Sequence, residues 1–214
     1  MPQEFEPTTF VDHVVSLMQA VPAGERQIIA IAGAPASGKS TIAAELNARL
    51  NEFEPGSTAL LPMDGYHYDD EVLGPRGWQS RKGAPHTFDV GGYASALERL
   101  KRNDEPTVAV PRFDRDIEIA RAGAIIIEQS VRLIVSEGNW LLLDDEPWPM
   151  LRPHFDHTAL VKTEWPTLEQ RNRQRWVDYD KDEEFIRQKL EGNDLPNARL
   201  VYERSTDPDW IVRT

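Results

Sequence analysis

The sequence contains no cysteine among its 214 residues. A disulfide framework, a thiolate nucleophile and a zinc site built on thiolates are therefore excluded. The fold must depend on a hydrophobic core, and a chain of this length with 40% hydrophobic residues can form one substantial core. We expect a single domain that spans residues 1–214.

Positive charge is scarce in this chain. The 24 Lys and Arg residues stand against 36 Asp and Glu residues, which gives a formal net charge of −12. A surface of this kind repels the phosphates of nucleic acids and the headgroups of anionic lipids. The composition therefore disfavours nucleic acid and membrane partners.

Long apolar runs are also missing. No stretch approaches the roughly 18 consecutive apolar residues that a membrane-spanning helix requires. Residues 1–6 are acidic and lack the basic and then apolar pattern of an export signal. We expect a cytoplasmic protein, and its oligomeric state stays open, with a homodimer among the alternatives.

One complete motif, G-x-x-x-x-G-K-S, occupies residues 33–40. It follows an apolar strand-like run and precedes a helical pattern, which is the context that a phosphate-binding loop needs. The backbone N–H groups of such a loop and the helix dipole bind phosphate, Lys39 reaches the β- and γ-phosphates, and the Ser40 hydroxyl can ligate Mg²⁺. The motif predicts a nucleoside triphosphate site formed by Gly33, Ala34, Pro35, Ala36, Ser37, Gly38, Lys39, Ser40 and Thr41.

Strand-like and helical patterns alternate along the chain, which predicts an α/β fold. We expect helices at residues 8–19, 41–50, 93–102, 167–176 and 182–190, and strands at residues 27–32, 58–61, 107–110, 124–128, 131–136, 158–162 and 199–202. The strand at 107–110 should end at Pro111, and the apolar run at 131–136 should be a buried parallel strand. The segment at about 62–90 is rich in Gly, Pro and aromatic residues, and its length indicates a functional loop.

Two carboxylates follow predicted strands. Asp64 lies just beyond the strand at 58–61, at the edge where α/β sheets bind ligands. There it could accept the proton of a substrate hydroxyl while the oxygen attacks a γ-phosphoryl group, and an Asp-Gly turn without chemistry is the alternative. Glu137 follows the strand at 131–136 and could hold Mg²⁺ through its waters, with a solvated glutamate as the alternative.

Three arginines occupy every second position on a predicted helix. Arg171, Arg173 and Arg175 cannot all face one ligand, because residues two apart lie on different faces of a helix. Arg171 and Arg175 are four apart and can share a face, so we expect them in a lid, at about residues 167–192, that closes over the phosphates. Arg173 is equally consistent with a solvated face of the helix.

The substrate that receives the phosphoryl group should bind among loops at one sheet edge. The candidate residues are Asp64, Tyr66, His67, Arg81, Lys82, Asp114 and Arg115. Three cations that face carboxylates suit a polar hydroxyl compound such as a sugar or a sugar acid, although structural salt bridges explain any single pair equally well. His67 has aromatic neighbours, and such a histidine is more often packed than catalytic.

Five motifs follow one another along the chain. They are the loop at 33–40, Met63-Asp64-Gly65-Tyr66-His67, the segment 81–89 (Arg-Lys-Gly-Ala-Pro-His-Thr-Phe-Asp), Phe113-Asp114-Arg115 and Ser136-Glu137-Gly138-Asn139. This order resembles that of the superfamily of uridine kinases, phosphoribulokinases and bacterial pantothenate kinases. The chain looks most similar to a small bacterial branch labelled fructose transport system kinases, in which residues 193–198 (Asn-Asp-Leu-Pro-Asn-Ala) also have a counterpart. The similarity runs from about residue 28 to residue 214.

The resemblance implies a three-layer P-loop fold with a mainly parallel five-stranded core sheet, flanking helices and a helical lid. It also implies ATP and Mg²⁺ as cofactors and an alcohol as the acceptor. By match to the family motifs, Asp64 is the catalytic base, Lys39 and Ser40 bind phosphate and metal, Glu137 is the carboxylate after the Walker B strand, and Arg175 is the lid arginine. Asn193 and Asn197 fall where relatives contact adenine.

The chain departs from two of these families at the acceptor site. Gly83 stands where uridine kinases carry an aspartate that holds the ribose, and Val110 stands where pantothenate kinases have a substrate-binding histidine. The sequence thus predicts an ATP-dependent kinase of a small polar metabolite that is a sugar, sugar-like or pantothenate-like. A nucleotide-binding regulatory ATPase or switch is the alternative, but Asp64, the long loop and the lid arginines favour the kinase.

Overall fold

A computed structural model describes residues 2–22 and 24–214. The elements in chain order are β1 (Gln3–Phe5), α1 (Pro7–Gln19), β2 (Gln27–Gly33), α2 (Lys39–Phe53), β3 (Thr58–Pro62), α3 (Asp70–Leu73), α4 (Val90–Arg102), β4 (Thr107–Asp114), β5 (Ile119–Glu128), β6 (Leu133–Gly138), β7 (His157–Lys162), α5 (Trp165–Asp178), α6 (Glu183–Lys189), α7 (Leu195–Arg204) and β8 (Trp210–Arg213). None of the helices in these described ranges combines the length and the apolar character needed to cross a bilayer.

Six parallel strands form the central sheet, in the order β1-β8-β7-β2-β6-β3. β2 lies in the middle, so that Ile29 pairs with Val135 of β6 on one side and with His157 of β7 on the other. The five strands from β8 to β3 form the mainly parallel five-stranded core that the family resemblance implied, and the three-residue β1 extends it beyond β8. The predicted α/β fold is confirmed.

The two faces of β2 pack into different hydrophobic cores. Ile28 and Ala30 belong to a cluster that includes residues of α4 and α7, whereas Ile29 and Ile31 belong to a cluster with α1 and α2. Successive side chains of a strand point to opposite faces, so a strand that is covered on both sides reads as a continuous apolar run. Helices therefore cover both faces of the sheet and give the three layers.

β4 and β5 form a separate antiparallel ribbon, and the predicted end of β4 at Pro111 is wrong. The strand continues to Asp114, with a shift of register between Val110 and Arg112. A proline has no N–H to donate, so the ladder tolerates it only at an irregularity or an edge. A Cβ on Gly65 would lie 2.5 Å from the Pro111 carbonyl oxygen, so the ribbon packs closely on the turn that follows β3.

The predicted strand at 199–202 is also wrong, because these residues lie in α7. Buried Asp194, Asn197, Ala198 and Val201 recur at intervals of three and four, which is the helical period. A short apolar run cannot by itself distinguish a strand from a helix. The last strand of the sheet is instead the short β8, which the sequence patterns did not predict.

Candidate active site

The phosphate-binding motif lies between β2, which ends at Gly33, and α2, which begins at Lys39. A Cβ on Gly33 would lie 2.5 Å from Ser37 Oγ and 3.2 Å from the Val161 carbonyl oxygen, so this position requires glycine. Ser37 Oγ is buried and has no hydrogen-bond partner within the described residues. An unpaired hydroxyl in a glycine-rich turn at the N-terminus of a helix fits a bound phosphate.

Lys39 lies among charges that come from four other segments of the chain. Burial lowers the pKa of Lys39, the charges of Glu137 and Asp64 oppose this effect, and the charges of Arg175 and Arg115 reinforce it. Three cations at the carboxyl edge of the sheet repel one another unless an anion lies between them. The arrangement therefore fits the phosphates of a nucleotide.

Ser40 and Glu137 meet beside the phosphate loop, where the Ser40 hydroxyl donates a hydrogen bond of 3.0 Å to Glu137 Oε2. Burial raises the pKa of Glu137, and the charge of Lys39 opposes this while that of Asp64 adds to it. A hydroxyl and a carboxylate are oxygen donors of the kind that Mg²⁺ prefers. Within residues 2–22 and 24–214, no three His, Asp or Glu side chains surround a common metal position. A Mg²⁺ ion held here would take its other ligands from phosphate and water.

Asp64 lies in a short 3₁₀ turn, Met63–Tyr66, directly after β3. It forms an ion pair with Arg115 of the β4–β5 ribbon, and its carbonyl oxygen lies 2.8 Å from Nδ1 of His67. Burial opposes ionisation of Asp64, but the charges of His67, Arg115 and Lys39 and the Arg115 hydrogen bond hold its pKa below the ordinary value. Burial also lowers the pKa of His67. At neutral pH the positive charges that favour the ionised form of Asp64 are therefore those of Arg115 and Lys39. Asp64 is therefore ionised, as a general base must be.

A cavity of about 650 Å³ connects the phosphate loop with the ribbon, the loop after β3 and the lid helices. A volume of this size accommodates a small ligand. The predicted site residues in its wall are Pro35, Lys39, Asp64, His67, Lys82, Arg115, Arg175, Asn193 and Asn197. The structure thus places phosphate-binding and acceptor-binding candidates around one space.

Three predicted acceptor residues do not line this cavity. Tyr66 packs against the ring of Tyr93, with 4.6 Å between the ring centroids. Asp114 forms an ion pair of 3.0 Å with Arg121 of the ribbon. Arg81 donates a hydrogen bond of 3.1 Å to Asn197 Oδ1. These contacts support the wall of the cavity, and acceptor binding by these three residues stays a prediction.

The three lid arginines have different surroundings. Arg175 lines the cavity, Arg173 pairs with Glu183 at 2.6 Å, and Arg171 donates a hydrogen bond of 3.3 Å to Thr214 Oγ1. Arg175 thus lines the cavity whereas Arg171 is directed at the end of β8, and the expected contact of Arg171 with the nucleotide stays a prediction.

Comparisons with known proteins give the family. No protein-family model matches the chain. A Schizosaccharomyces pombe protein named "Putative uridine kinase" is 30% identical over 196 residues, which are 88% of this chain and 83% of that protein. A pantothenate kinase of Limosilactobacillus reuteri is 30% identical over 151 residues, which are 70% of this chain and 49% of that protein. The crystal structure named as a putative fructose transport system kinase from Silicibacter sp. TM1040 matches with a TM-score of 0.84 and 36% identity, over 97% of this chain and 98% of that one.

The chain belongs to the P-loop kinase superfamily of uridine and pantothenate kinases. The resemblance found in the sequence motifs is confirmed, and the protein is an ATP-dependent kinase of a small molecule. The likeness extends over almost the whole chain in the solved structure, so it includes the lid and the loop after β3.

Asn193 and Asn197 of this kinase lie against the loop that follows β3. Asn193 Nδ2 donates a hydrogen bond of 3.1 Å to the Lys82 carbonyl oxygen, and Asn197 Nδ2 donates one of 3.3 Å to Asn193 Oδ1. Their contact with adenine stays a prediction.

The sequence predicts no role for several residues around the cavity of the kinase. Asn139 lines the cavity, and its buried Oδ1 has no partner in the described part of the chain. Trp140 Nε1 donates a hydrogen bond of 3.0 Å to the Gly83 carbonyl oxygen and so fixes the loop after β3. Asn172, in the middle of the lid helix α5, is fully buried and bonds the Pro35 carbonyl oxygen. The only signal for the first two was their position directly after the Glu-Gly turn that ends β6.

Proposed function

We propose that this kinase transfers the γ-phosphoryl group of ATP to a hydroxyl of a small polar metabolite that is sugar-like or pantothenate-like. The observation that carries the proposal is Asp64, whose ionised carboxylate lines the same cavity as Lys39 of the phosphate loop. A kinase needs a carboxylate between the nucleotide and the acceptor hydroxyl. A nucleotide switch without an acceptor needs neither that base nor a cavity of this size.

On the nucleotide side, the backbone of the loop at 33–38 and the Lys39 side chain bind the phosphates. Ser40 and Glu137 would hold Mg²⁺, since they place a hydroxyl and a carboxylate side by side. A metal ion held there would supply positive charge that offsets the negative charge of the phosphates. Arg175 adds a cation from the lid to the same end of the cavity, where it stabilises charge on the group being transferred.

On the acceptor side, Asp64 accepts a hydrogen bond from the substrate hydroxyl and takes its proton. The hydroxyl oxygen forms the new bond to phosphorus as the bond from that phosphorus to the ADP oxygen breaks. Because the transition state of phosphoryl transfer is loose, much of the contribution of Asp64 is orientation of the hydroxyl. Arg115 keeps the carboxylate ionised and directed into the cavity.

The part of the cavity wall that would contact the acceptor substrate carries both positive and negative charges. Lys82 forms hydrogen bonds of 2.8 Å with Asp70 Oδ1 and with the Glu118 carbonyl oxygen, and all three residues line the cavity. Such a wall offers donors and acceptors to a compound with several polar groups. The names of relatives refer to uridine, pantothenate and fructose transport. Because Gly83 replaces the ribose-binding aspartate of uridine kinases, we favour an acceptor that is not a nucleoside.

A screen with Mg-ATP tests this proposal. The purified protein is incubated with sugars, sugar acids, polyols, pantothenate-like hydroxy amides and nucleosides, and ADP release and the phosphorylated product are measured. We expect one class of hydroxyl compound to stimulate ADP release. In Asp64→Asn, turnover should fall by about 10²- to 10⁴-fold while ATP binding is kept. Asp104→Asn, an exposed aspartate paired with Arg102 outside the cavity, is the matched control. ADP release that no compound stimulates and that Asp64→Asn leaves unchanged would favour the regulatory ATPase.

A further inference from the structure

The junction of α6 and α7 has an unusual backbone. Residues Leu190–Asp194 form a single π-helical turn between the two helices. Such turns are rare and are frequent at functional sites. The turn carries Asn193 and Asp194, which are 6% and 4% exposed and line the cavity.

Asp194 makes two contacts with consecutive residues of the lid helix α5. Its Oδ2 lies 3.1 Å from Nη2 of Arg175 and accepts a hydrogen bond of 2.6 Å from Nε1 of Trp176. The Trp176 ring also lies beneath the guanidinium, at 5.0 Å from its carbon to the ring centroid. One carboxylate and one indole ring therefore fix the position of the lid arginine.

Part of the Arg175 side chain remains available to a ligand, because 34% of it is exposed and it lines the cavity. Arg175 Nε is buried and has no hydrogen-bond partner in residues 2–22 and 24–214. Arg175 lines the same cavity as Lys39, and its charge acts on that lysine. A guanidinium presents several N–H donors in a rigid fork, so one edge can bind a carboxylate while another binds phosphate.

The π turn itself is anchored on the loop that follows β3. Asn193 Nδ2 bonds the Lys82 carbonyl oxygen, and Arg81 bonds both Asn197 Oδ1 and the Gly192 carbonyl oxygen. The Asp194 carboxylate is thus held from the acceptor side of the cavity. It joins the acceptor loop to the arginine that belongs to the nucleotide side.

We propose that Asp194 is a positioning residue that holds the lid Arg175 toward the terminal phosphate of bound ATP. The inference rests on the role proposed above for Arg175. Asparagine at position 194 can still accept the Trp176 hydrogen bond, but it lacks the charge that pairs with Arg175. An arginine that is no longer held should lose its contact with the third phosphate, and the first two phosphates should be unaffected.

The test compares the binding of Mg-AMP-PNP, a non-hydrolysable ATP analogue, with that of Mg-ADP by calorimetry. We expect Asp194→Asn to weaken AMP-PNP binding by about 3- to 10-fold and to change ADP binding less than about twofold, because only the third phosphate loses a charged hydrogen bond. Arg175→Ala should show the same selective loss, and the double variant should resemble Arg175→Ala because the two residues act as one unit. Glu183→Gln is the matched control, since it removes the exposed partner of Arg173 on the same lid.

The outcomes are distinguishable. If Arg175→Ala leaves the ratio of AMP-PNP affinity to ADP affinity unchanged, the proposed role of Arg175 is wrong, and so is this inference. If Arg175→Ala reduces the preference but Asp194→Asn does not, or if Asp194→Asn strengthens AMP-PNP binding, Asp194 does not position the arginine, and the role of Arg175 stands. Should Asp194→Asn fail to fold, Trp176→Phe keeps an aromatic ring and the Arg175–Asp194 ion pair but removes the N–H that fixes Asp194. This variant should weaken AMP-PNP binding relative to ADP binding, to a smaller extent than Asp194→Asn. If it binds AMP-PNP and ADP with the wild-type ratio of affinities, the inference is overturned.

Discussion

Asn172 of the lid helix donates a hydrogen bond of 3.0 Å to the carbonyl oxygen of Pro35 in the phosphate loop. The asparagine side chain is fully buried, and its amide also bonds the Leu168 carbonyl oxygen of its own helix. A buried polar side chain is stable only when it has such partners. The contact therefore ties the base of the lid to the loop that binds phosphate.

Replacement of Asn172 by leucine should destabilise the protein and weaken nucleotide binding together. Loss of a buried hydrogen bond that leaves the Pro35 carbonyl unpaired costs about 1–3 kcal/mol of unfolding free energy. Because the same bond positions the phosphate loop, ADP affinity should fall by about 3- to 10-fold, which corresponds to roughly 1 kcal/mol. Urea denaturation and calorimetry measure the two effects.

The control for this substitution is Gln174→Ala on the same helix, where the amide donates a hydrogen bond to the exposed Asp178. Exposed substitutions of this kind usually change stability by less than about 0.5 kcal/mol. Wild-type ADP affinity in Asn172→Leu, at any stability, would show that the lid contact does not position the phosphate loop.

The part of the site at the edge of the sheet could be predicted from the sequence because its residues follow strands. Lys39, Asp64 and Glu137 each follow an apolar run, and in a parallel sheet the carboxyl ends of neighbouring strands meet at one edge. Strand order alone then brings these three residues together, and the structure does so.

The lid could not be predicted in the same way. The direction of Arg175 depends on Asp194 and Trp176, and the position of Asp194 depends on a π turn that has no period in the sequence. The run at 199–202 is a second example. Its four residues are apolar or long, so the sequence fits both the period of a strand and that of a helix, and tertiary packing decides that it is helical. Local sequence patterns therefore predict the residues at the edge of the sheet, whereas the positions of the lid residues depend on long-range contacts.

Glu137→Gln should raise the Mg²⁺ concentration needed for nucleotide binding and leave the fold intact. The substitution keeps the size of the side chain and the contact with Ser40 but removes the negative charge that we propose holds the ion. For a carboxylate that acts through metal-bound water, we expect the Mg²⁺ midpoint to rise by about 10- to 100-fold. The midpoint is measured by titrating Mg²⁺ at fixed ATP and following the melting temperature.

The control is Glu98→Gln, an exposed glutamate on α4 that lies next to Arg102. It should leave the Mg²⁺ midpoint unchanged. An unchanged midpoint in Glu137→Gln as well would mean that Glu137 does not hold the metal.

Arg115→Ala should raise the pKa of Asp64. In the wild type the charges of His67, Arg115 and Lys39 outweigh the effect of burial, so the pKa of Asp64 lies below its ordinary value of 3.8. The ionised carboxylate therefore stabilises the fold at neutral pH, and this contribution is lost as the pH falls through the folded-state pKa. Without the arginine, fewer positive charges oppose the effect of burial, so the pKa of Asp64 should rise.

Carboxyl ¹³C NMR measures this pKa directly, with the Asp64 signal assigned by its absence in Asp64→Asn. Arg121→Ala is the matched control, because Arg121 pairs with Asp114 on the same ribbon but outside the cavity. In Arg115→Ala the stability contributed by ionised Asp64 should also be smaller, and its loss on acidification should be complete at a higher pH than in the wild type, because the folded-state pKa lies closer to the unfolded one. A signal that titrates at the same pH in wild type and Arg115→Ala would show that Arg115 does not lower the pKa of Asp64, and that the charges of His67 and Lys39 oppose the effect of burial without it.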